Sequence, residues 1–216
     1  MNLQALTQIQ SHLQKARQSV KLVAVTKYAN VKTAQQLIEA GVEAVGENRL
    51  EVAEQKFAQL PSGLQFEKHF IGQIQSKKIR KIVELFDVIQ SVSSNKHLLK
   101  LDQVAGELGK KIQIFLQFNV SNEPQKGGYS PADAEDVKKI LSQIAHVEVI
   151  GLMGMASNTK DEQMIRTQFK TLRELRNELQ KDFPSIKELS MGMSNDYQIA
   201  IEEGATVVRI GRGLGI

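Results

Sequence analysis

The strongest constraint in this chain is an alternation of short apolar segments with longer amphipathic or polar segments, which recurs eight times along its 216 residues. The short segments carry few polar residues, which indicates strands buried on both faces and hence a parallel sheet. Eight strand–helix units in about 200 residues are typical of a (β/α)8 barrel. An open, doubly wound sheet is the alternative, but no glycine-rich turn follows the first strand.

We therefore predict an α/β protein, a single (β/α)8 TIM barrel that occupies residues 1–216 as one domain with an extra N-terminal helix. The spacing of Leu6, Ile9, Leu13 and Val20 places that helix over residues 3–20. The predicted strands span residues 22–26, 44–46, 68–71, 87–91, 112–119, 147–153, 188–191 and 207–210.

Composition excludes several kinds of site. The chain has no Cys, which excludes disulfides and thiolate chemistry, and its four His residues lack metal-ligand spacing. No apolar run approaches the roughly 20 residues that cross a bilayer, and the first residues lack a signal-peptide pattern, so we predict a cytoplasmic protein. A net charge of +4 mildly favours anionic ligands, without the concentrated basic stripe of a nucleic-acid binder.

Lys27 directly follows the first predicted strand, so it is expected at the end of the barrel where such folds bind ligands. A lysine amine that is partly desolvated there loses its proton more easily and can attack a carbonyl carbon to form an imine. A surface lysine just beyond a strand is the alternative interpretation of this position.

The ends of the last two strands carry further candidates. Ser194 lies where the seventh loop meets a helix, so its hydroxyl and nearby backbone N–H groups can face an anion. Gly211 and Gly213 let the backbone approach a ligand, and these loops are the usual phosphate site of such barrels. A helix N-cap at Ser194 and an ordinary turn at the glycines are the alternatives. Arg209 lies within a strand and needs a partner: a phosphate, a cofactor ring nitrogen or a structural carboxylate.

An imine-forming lysine and a phosphate site at one barrel mouth suggest a phosphorylated aldehyde, for which pyridoxal 5′-phosphate is the obvious candidate. Six runs in the chain, in order, then resemble the pyridoxal phosphate homeostasis proteins, also called the proline synthetase co-transcribed homologues. That family has the fold-type III barrel of alanine racemase without its second β domain. The runs are residues 22–27 (LVAVTK), 46–49 (GENR), 69–72 (HFIG), 151–153 (GLM), 189–196 (LSMGMSND) and 208–211 (VRIG).

The resemblance implies that Lys27 holds the cofactor covalently as a Schiff base, an internal aldimine. It further implies that Ser194 and the backbone around Gly211 hold the phosphate and that Arg209 contacts the cofactor. His69 matches a family motif, but a histidine of the barrel core is the alternative. The resemblance also implies that the ring pocket is lined by Asn48, Ser91 and Met153.

The function implied by the resemblance is that of a cofactor carrier. Such a protein binds pyridoxal 5′-phosphate (PLP) and serves vitamin B6 and amino-acid and keto-acid homeostasis, without catalysis of its own. A PLP-dependent racemase or decarboxylase is the alternative, although racemisation needs acid/base groups on both faces of the substrate carbon. A cofactor-free Schiff-base aldolase and a nucleic-acid binder are weaker alternatives. We expect a monomer, and a regulatory protein or a protein that accepts the cofactor stays open as a partner.

Overall fold

Eight parallel strands close into a barrel in which each strand pairs with its neighbours in sequence and β8 pairs with β1. The computed structural model describes residues 2–216. The closed order of the strands confirms the predicted (β/α)8 barrel and shows that the doubly wound alternative is wrong. Each predicted strand begins and ends within one residue of the observed strand. The strands are β1 Lys21–Val25, β2 Ala44–Glu47, β3 Glu67–Phe70, β4 Val88–Val92, β5 Ile112–Phe118, β6 Val147–Gly154, β7 Glu188–Ser190 and β8 Val207–Ile210.

Helices surround the barrel, and polar side chains set where several of them begin. Asn30, Ser94 and Asp161 each accept a hydrogen bond from a first-turn backbone N–H and so cap α2, α5 and α7. Among residues 2–216, no helix is both long and apolar enough to cross a membrane. The helices are α1 Leu3–Gln14, α2 Val31–Glu39, α3 Leu50–Ala58, α4 Ile79–Leu85, α5 Asn95–Leu108, α6 Ala134–Leu141, α7 Glu162–Asp182 and α8 Tyr197–Glu202.

The N-terminal helix is shorter than predicted. Helix α1 ends at Gln14, whereas the apolar spacing predicted a helix over residues 3–20. The chain leaves the helix because it must turn to enter β1, and the Gln18 side chain fixes that turn by donating to the carbonyls of Ile201 and Ala205. The opposite end of α1 is held where the backbone N–H of Asn2 donates to the Leu214 carbonyl. Helix α1 therefore packs beside α8 and the short 3-10 turn that follows β8.

The barrel interior is separate from the larger apolar core between the strands and the helices. Alternate strand residues point inwards, and apolar and polar ones share the space. The polar inward residues include His69 and Gln90, which are buried at 2% and 0% exposure. The apolar inward residues are Val23, Ala44, Val88, Phe115, Met153 and Val207.

Candidate functional site

A cavity of about 620 Å³ opens at the carboxyl end of the barrel, where the loops that follow the strands meet. This is the end at which barrels of this type bind ligands, and the volume lies in the range of small-molecule sites. The cavity brings together six of the seven residues that the sequence predicted as a cofactor site. They are Lys27, Asn48, Met153, Ser194, Arg209 and Gly211.

Lys27 lies at the mouth of this cavity, two residues beyond the end of β1. Its Nζ lies 5.1 Å from the centroid of the Tyr28 ring, and Tyr28 is 81% exposed. The expected partial desolvation of Lys27 is wrong, because the side chain lies at the open rim and the residue is exposed. The amine is therefore accessible to a ligand that enters from solvent.

The backbone just before Lys27 is held by a buried ion pair. Lys56 of α3 donates from Nζ to Oε1 of Glu47 at 2.5 Å and to the carbonyl of Thr26 at 2.6 Å. The Thr26 hydroxyl donates to the same carboxylate oxygen at 2.6 Å. Because all three side chains are buried, these bonds fix the end of β1 to β2 and α3. Lys27 therefore projects from a rigid support.

Ser194 joins the loops that follow β7 and β8. Its Oγ accepts a hydrogen bond from the backbone N–H of Gly213 at 3.0 Å. The N-cap alternative is wrong for Ser194, because α8 begins only at Tyr197 and Asp196 precedes it as the cap residue. Instead, Asp196 closes a tight turn by accepting a hydrogen bond from the backbone N–H of Met193.

These two loops leave backbone donors directed at no protein acceptor. Within residues 2–216, the backbone N–H groups of Ser194, Asn195, Gly211 and Arg212 donate to neither a carbonyl nor a side chain. All four residues line the cavity. Backbone N–H groups without a protein acceptor at a cavity wall are available to hydrogen-bond an anion.

The eighth loop passes close to the end of β1 at Gly211. A Cβ placed on Gly211 would lie 3.0 Å from the carbonyl oxygen of Val25. In the seventh loop, Gly192 has a φ of 93°, a left-handed conformation that favours glycine. The ordinary-turn alternative therefore describes only part of these loops, because Gly211 also permits a close backbone approach at the cavity wall.

Arg209 lies inside the barrel beneath these loops and is 5% exposed. Its Nη1 donates to the carbonyl and the hydroxyl of Ser190, and its Nη2 donates to the carbonyl of Gly154. Burial lowers the pKa of Arg209 to about 10, an effect that the nearby Asp196 charge partly opposes. The guanidinium therefore remains charged at neutral pH, and none of its hydrogen-bond acceptors is a carboxylate.

Positive charge dominates the cavity. Asp196 is its one carboxylate among the described lining residues, and desolvation raises the pKa of that group. Lys126 crosses the mouth from the loop after β5, with Nζ bonded to Glu123 and to the carbonyl of Ala156. A cavity lined by five cationic residues and one carboxylate favours an anionic ligand. The cationic lining residues are Lys27, Arg49, Lys126, Arg209 and Arg212.

Two predicted or suspected residues lie outside this cavity. Ser91 is buried and donates from Oγ to the carbonyl of Gly72 at 2.5 Å, so it supports a lining residue instead of lining the cavity itself. His69 lies deeper in the barrel, where Glu67 and Gln90 hold its two ring nitrogens. Burial lowers the pKa of His69, an effect that its bond to Glu67 opposes.

Sequence reasoning missed several polar residues of the barrel. Lys126 comes from a turn-rich loop whose path the sequence does not fix. Gln90 and Ser190, however, had a signal in the sequence, because each is an uncharged polar residue of a short predicted strand. A polar side chain that faces a barrel interior requires a hydrogen-bonding partner there.

Comparison with known proteins agrees with the family resemblance seen in the sequence motifs. The family model described as alanine racemase, N-terminal domain, matches residues 1–214. A Vibrio cholerae protein named pyridoxal phosphate homeostasis protein is 36% identical over 220 residues, which cover 99% of this chain and 93% of that protein. The structure of PipY from Synechococcus elongatus with PLP bound has a TM-score of 0.89 and 37% identity, with 98% of each chain covered.

Alanine racemase itself is a more distant structural neighbour. The enzyme from Clostridium difficile superimposes with a TM-score of 0.78 at 16% identity. The superposition covers 97% of this chain but only 54% of the racemase. At that identity the similarity concerns the fold alone, and the chain described here spans about half of the enzyme.

Proposed function

This chain belongs to the family of pyridoxal phosphate homeostasis proteins, as its motifs predicted, and on that premise we propose that it binds PLP at the carboxyl end of its barrel. The observation that carries the proposal is the pairing, within one cavity, of an accessible lysine amine with four unused backbone N–H donors. In a phosphorylated aldehyde, the amine suits the aldehyde and the backbone N–H donors suit the phosphate.

The lining of the cavity fits each part of this ligand. The free N–H groups of the seventh and eighth loops, together with Ser194, suit a phosphate, and the cationic lining suits its charge. Met153 offers an apolar face to the ring, and Asn48 offers a polar group beside it. An arginine is a known partner of the ring nitrogen of this cofactor, which is the role we propose for Arg209.

Lys27 is the residue that we propose to bind the cofactor covalently. If PLP is bound, the neutral amine of Lys27 would hold it through an imine to its aldehyde carbon, with the aldehyde oxygen released as water. The step is reversible by hydrolysis, which allows the cofactor to be released again. Lys27 is suited to this role because it is exposed at the rim while the backbone before it is fixed by the Glu47–Lys56 pair.

We propose a carrier without catalysis of its own, which serves vitamin B6 and amino-acid homeostasis. Bound PLP supplies an electron sink to enzymes that place acid and base groups beside the substrate. Among the described residues that line this cavity there is no Tyr, His or Cys. Its carboxylate, Asp196, is engaged with the backbone N–H of Met193 at 2.6 Å. Lys27 can carry a proton on one face of a substrate, whereas the other two candidates in the wall, Lys126 and Asp196, are each held by hydrogen bonds to the protein.

The test is the visible absorption spectrum of the purified protein with added PLP, before and after borohydride reduction. We expect an imine band in the wild type that borohydride removes, leaving a stable adduct, and no band in Lys27→Ala. Lys126→Ala is the matched control, because Lys126 also lines the cavity but is bonded to Glu123. A reducible adduct of equal yield in Lys27→Ala would refute the assignment.

Incubation of the loaded protein with amino acids in heavy water separates the carrier from a racemase. A carrier leaves the hydrogen on the α-carbon in place, and the amino acid keeps its handedness. Exchange of that hydrogen for deuterium at a rate that depends on Lys27 would instead support an enzyme.

A further inference from the structure

A line of hydrogen bonds runs through the barrel interior from its amino-terminal end to the cavity. Arg209 Nη1 lies 2.6 Å from Ser190 Oγ, and that hydroxyl lies 2.6 Å from Gln90 Oε1. Gln90 Nε2 lies 2.7 Å from His69 Nδ1, and His69 Nε2 lies 2.9 Å from the Glu67 carboxylate. We call these five residues the interior network.

The two ends of the interior network fix the direction of every bond in it. The Glu67 carboxylate can only accept, because bonds from His69 and Lys21 lower its pKa to about 2. His69 therefore donates from Nε2, and because burial lowers the pKa of His69 and favours the neutral ring, its Nδ1 accepts from the Gln90 amide. The Gln90 oxygen then accepts from Ser190, and the Ser190 oxygen accepts from Arg209, which can only donate. One arrangement of protons satisfies all four bonds.

The network leaves Arg209 with unused donors. A guanidinium has five N–H groups, and the protein accepts two from Nη1 and one from Nη2. The Nε–H and the second Nη2–H remain, and Arg209 lines the cavity. The two bonds from Nη1 to Ser190 therefore hold that edge of the guanidinium, and the unused N–H groups lie on its other edges.

Packing alone does not require such a network. Val88 and Phe115 are inward residues of the same barrel, and they fill their positions without hydrogen bonds. A buried network restricts its members to one arrangement when every bond is made, as it is here. The interior network therefore adds orientation where apolar residues would add only volume.

We propose that His69, Gln90 and Ser190 are positioning residues that hold the Arg209 guanidinium with its two unused N–H groups presented to the cofactor. The inference rests on the proposed function, since it assumes that PLP is the ligand and that Arg209 is its ring partner. It extends that function by assigning a role to three residues that do not line the cavity with Arg209.

The first test uses the 216-residue protein without cofactor. Side-chain ¹⁵N NMR of Arg209 should give separate, slowly exchanging Nη1–H signals in the wild type, because Ser190 accepts both. In Gln90→Leu these signals should broaden or merge, since the Ser190 hydroxyl loses its acceptor. In Gln90→Glu the new carboxylate accepts from Ser190 and from His69, so the His69 ring should carry both protons at neutral pH.

The second test measures the affinity for PLP by titration of the visible band. We expect Gln90→Leu to bind about tenfold more weakly, the effect of about one hydrogen bond. Gln90→Glu keeps an acceptor for Ser190 and should bind more tightly than Gln90→Leu. Gln113→Leu is the matched control, because Gln113 is a glutamine of the neighbouring strand at the amino-terminal end of the barrel, bonded to Glu148. It should bind PLP as the wild type does.

Unchanged Arg209 signals in Gln90→Leu, or equal losses of affinity in Gln90→Leu and Gln113→Leu, would overturn the positioning role. If Gln90→Leu does not fold, Ser190→Ala removes only the hydroxyl and is expected to change the Arg209 signals in the same way. Failure of the wild type to bind PLP would refute the proposed function, and the cofactor-free NMR signals would then decide the positioning role by themselves.

Discussion

The Nζ of Lys56 lies 2.5 Å from Oε1 of Glu47, in a buried pair that also holds the carbonyl of the residue before Lys27. Replacing Lys56 with Met leaves the Glu47 carboxylate buried without its cation. We expect Lys56→Met to lower the free energy of unfolding by about 3–5 kcal/mol, the usual effect of breaking a buried ion pair. Urea-induced unfolding measures this change.

The matched control is Lys81→Met, because Lys81 pairs with Glu54 at 3.8 Å on the surface and its side chain is 66% exposed. This change should stay within about 0.5 kcal/mol of the wild type. Equal effects of the two substitutions would show that the Glu47–Lys56 pair does not hold the end of β1.

Ser194→Ala tests the phosphate site. The variant loses a hydroxyl that lines the cavity and that orders the eighth loop through Gly213. We expect about tenfold weaker binding of PLP, the effect of about one hydrogen bond, and unchanged binding of pyridoxal, which lacks the phosphate. Titration of the visible band with each compound gives both affinities. Ser185→Ala removes an exposed hydroxyl at the amino-terminal end of the barrel and should change neither.

The loop after β3 is packed too tightly for any side chain at Gly72. A Cβ there would lie 2.0 Å from the backbone oxygen of Asn48. We expect Gly72→Ala to destabilise the fold by about 1–3 kcal/mol and to displace Asn48 from the cavity wall. Ser91→Ala removes only the bond to the Gly72 carbonyl and should cost about 1 kcal/mol. Thermal unfolding and PLP titration on both variants check this order of effects.

The stability of the protein should depend on pH through His69. Burial lowers the pKa of His69 below its ordinary value of 6.5. As the pH falls through about 6.5, the unfolded chain takes up a proton at this ring before the folded protein does, so the free energy of unfolding falls. The contribution of neutral His69 is full above this range and is lost as the pH falls through the lowered folded pKa.

His69→Gln removes this titration, while a glutamine amide can still donate to Glu67 and accept from Gln90. Between about pH 7 and about pH 5, we expect the free energy of unfolding to fall less steeply in His69→Gln than in the wild type. The difference in slope is at most about 1.4 kcal/mol per pH unit, the limit for one proton. Parallel slopes from urea unfolding at each pH would show that His69 titrates normally in the folded state.

The sequence predicted the fold well because strand burial leaves a simple pattern. Apolar runs that are buried on both faces, such as Leu22 to Ala24, mark each strand directly. The N-terminal helix was predicted too long because Val20 continues the helical spacing, although the side chain of Gln18 instead fixes a turn. A contact between residues far apart in sequence decided that boundary.

Strand positions alone predict a site residue best where that residue closely follows a strand, whereas the family resemblance supplied Asn48, Ser91 and Met153. Lys27 and Asn48 meet this condition, because the ends of parallel strands necessarily converge at one edge. Ser91 lies near the carboxyl end of β4, but its hydroxyl bonds to the Gly72 carbonyl, which depends on the path of another loop. Likewise, a helix cap stayed open as the alternative for Ser194 because the sequence does not reveal its bond to Gly213.

The central claim is that Lys27 forms the bond to the cofactor, and mass spectrometry tests it most directly. After PLP loading and borohydride reduction, trypsin should not cleave at a modified Lys27, so the adduct should appear on a peptide of residues 22–32. Lys27→Arg should carry no adduct in the cavity. An adduct located on Lys126, or one that persists in Lys27→Arg at the wild-type yield, would contradict the account.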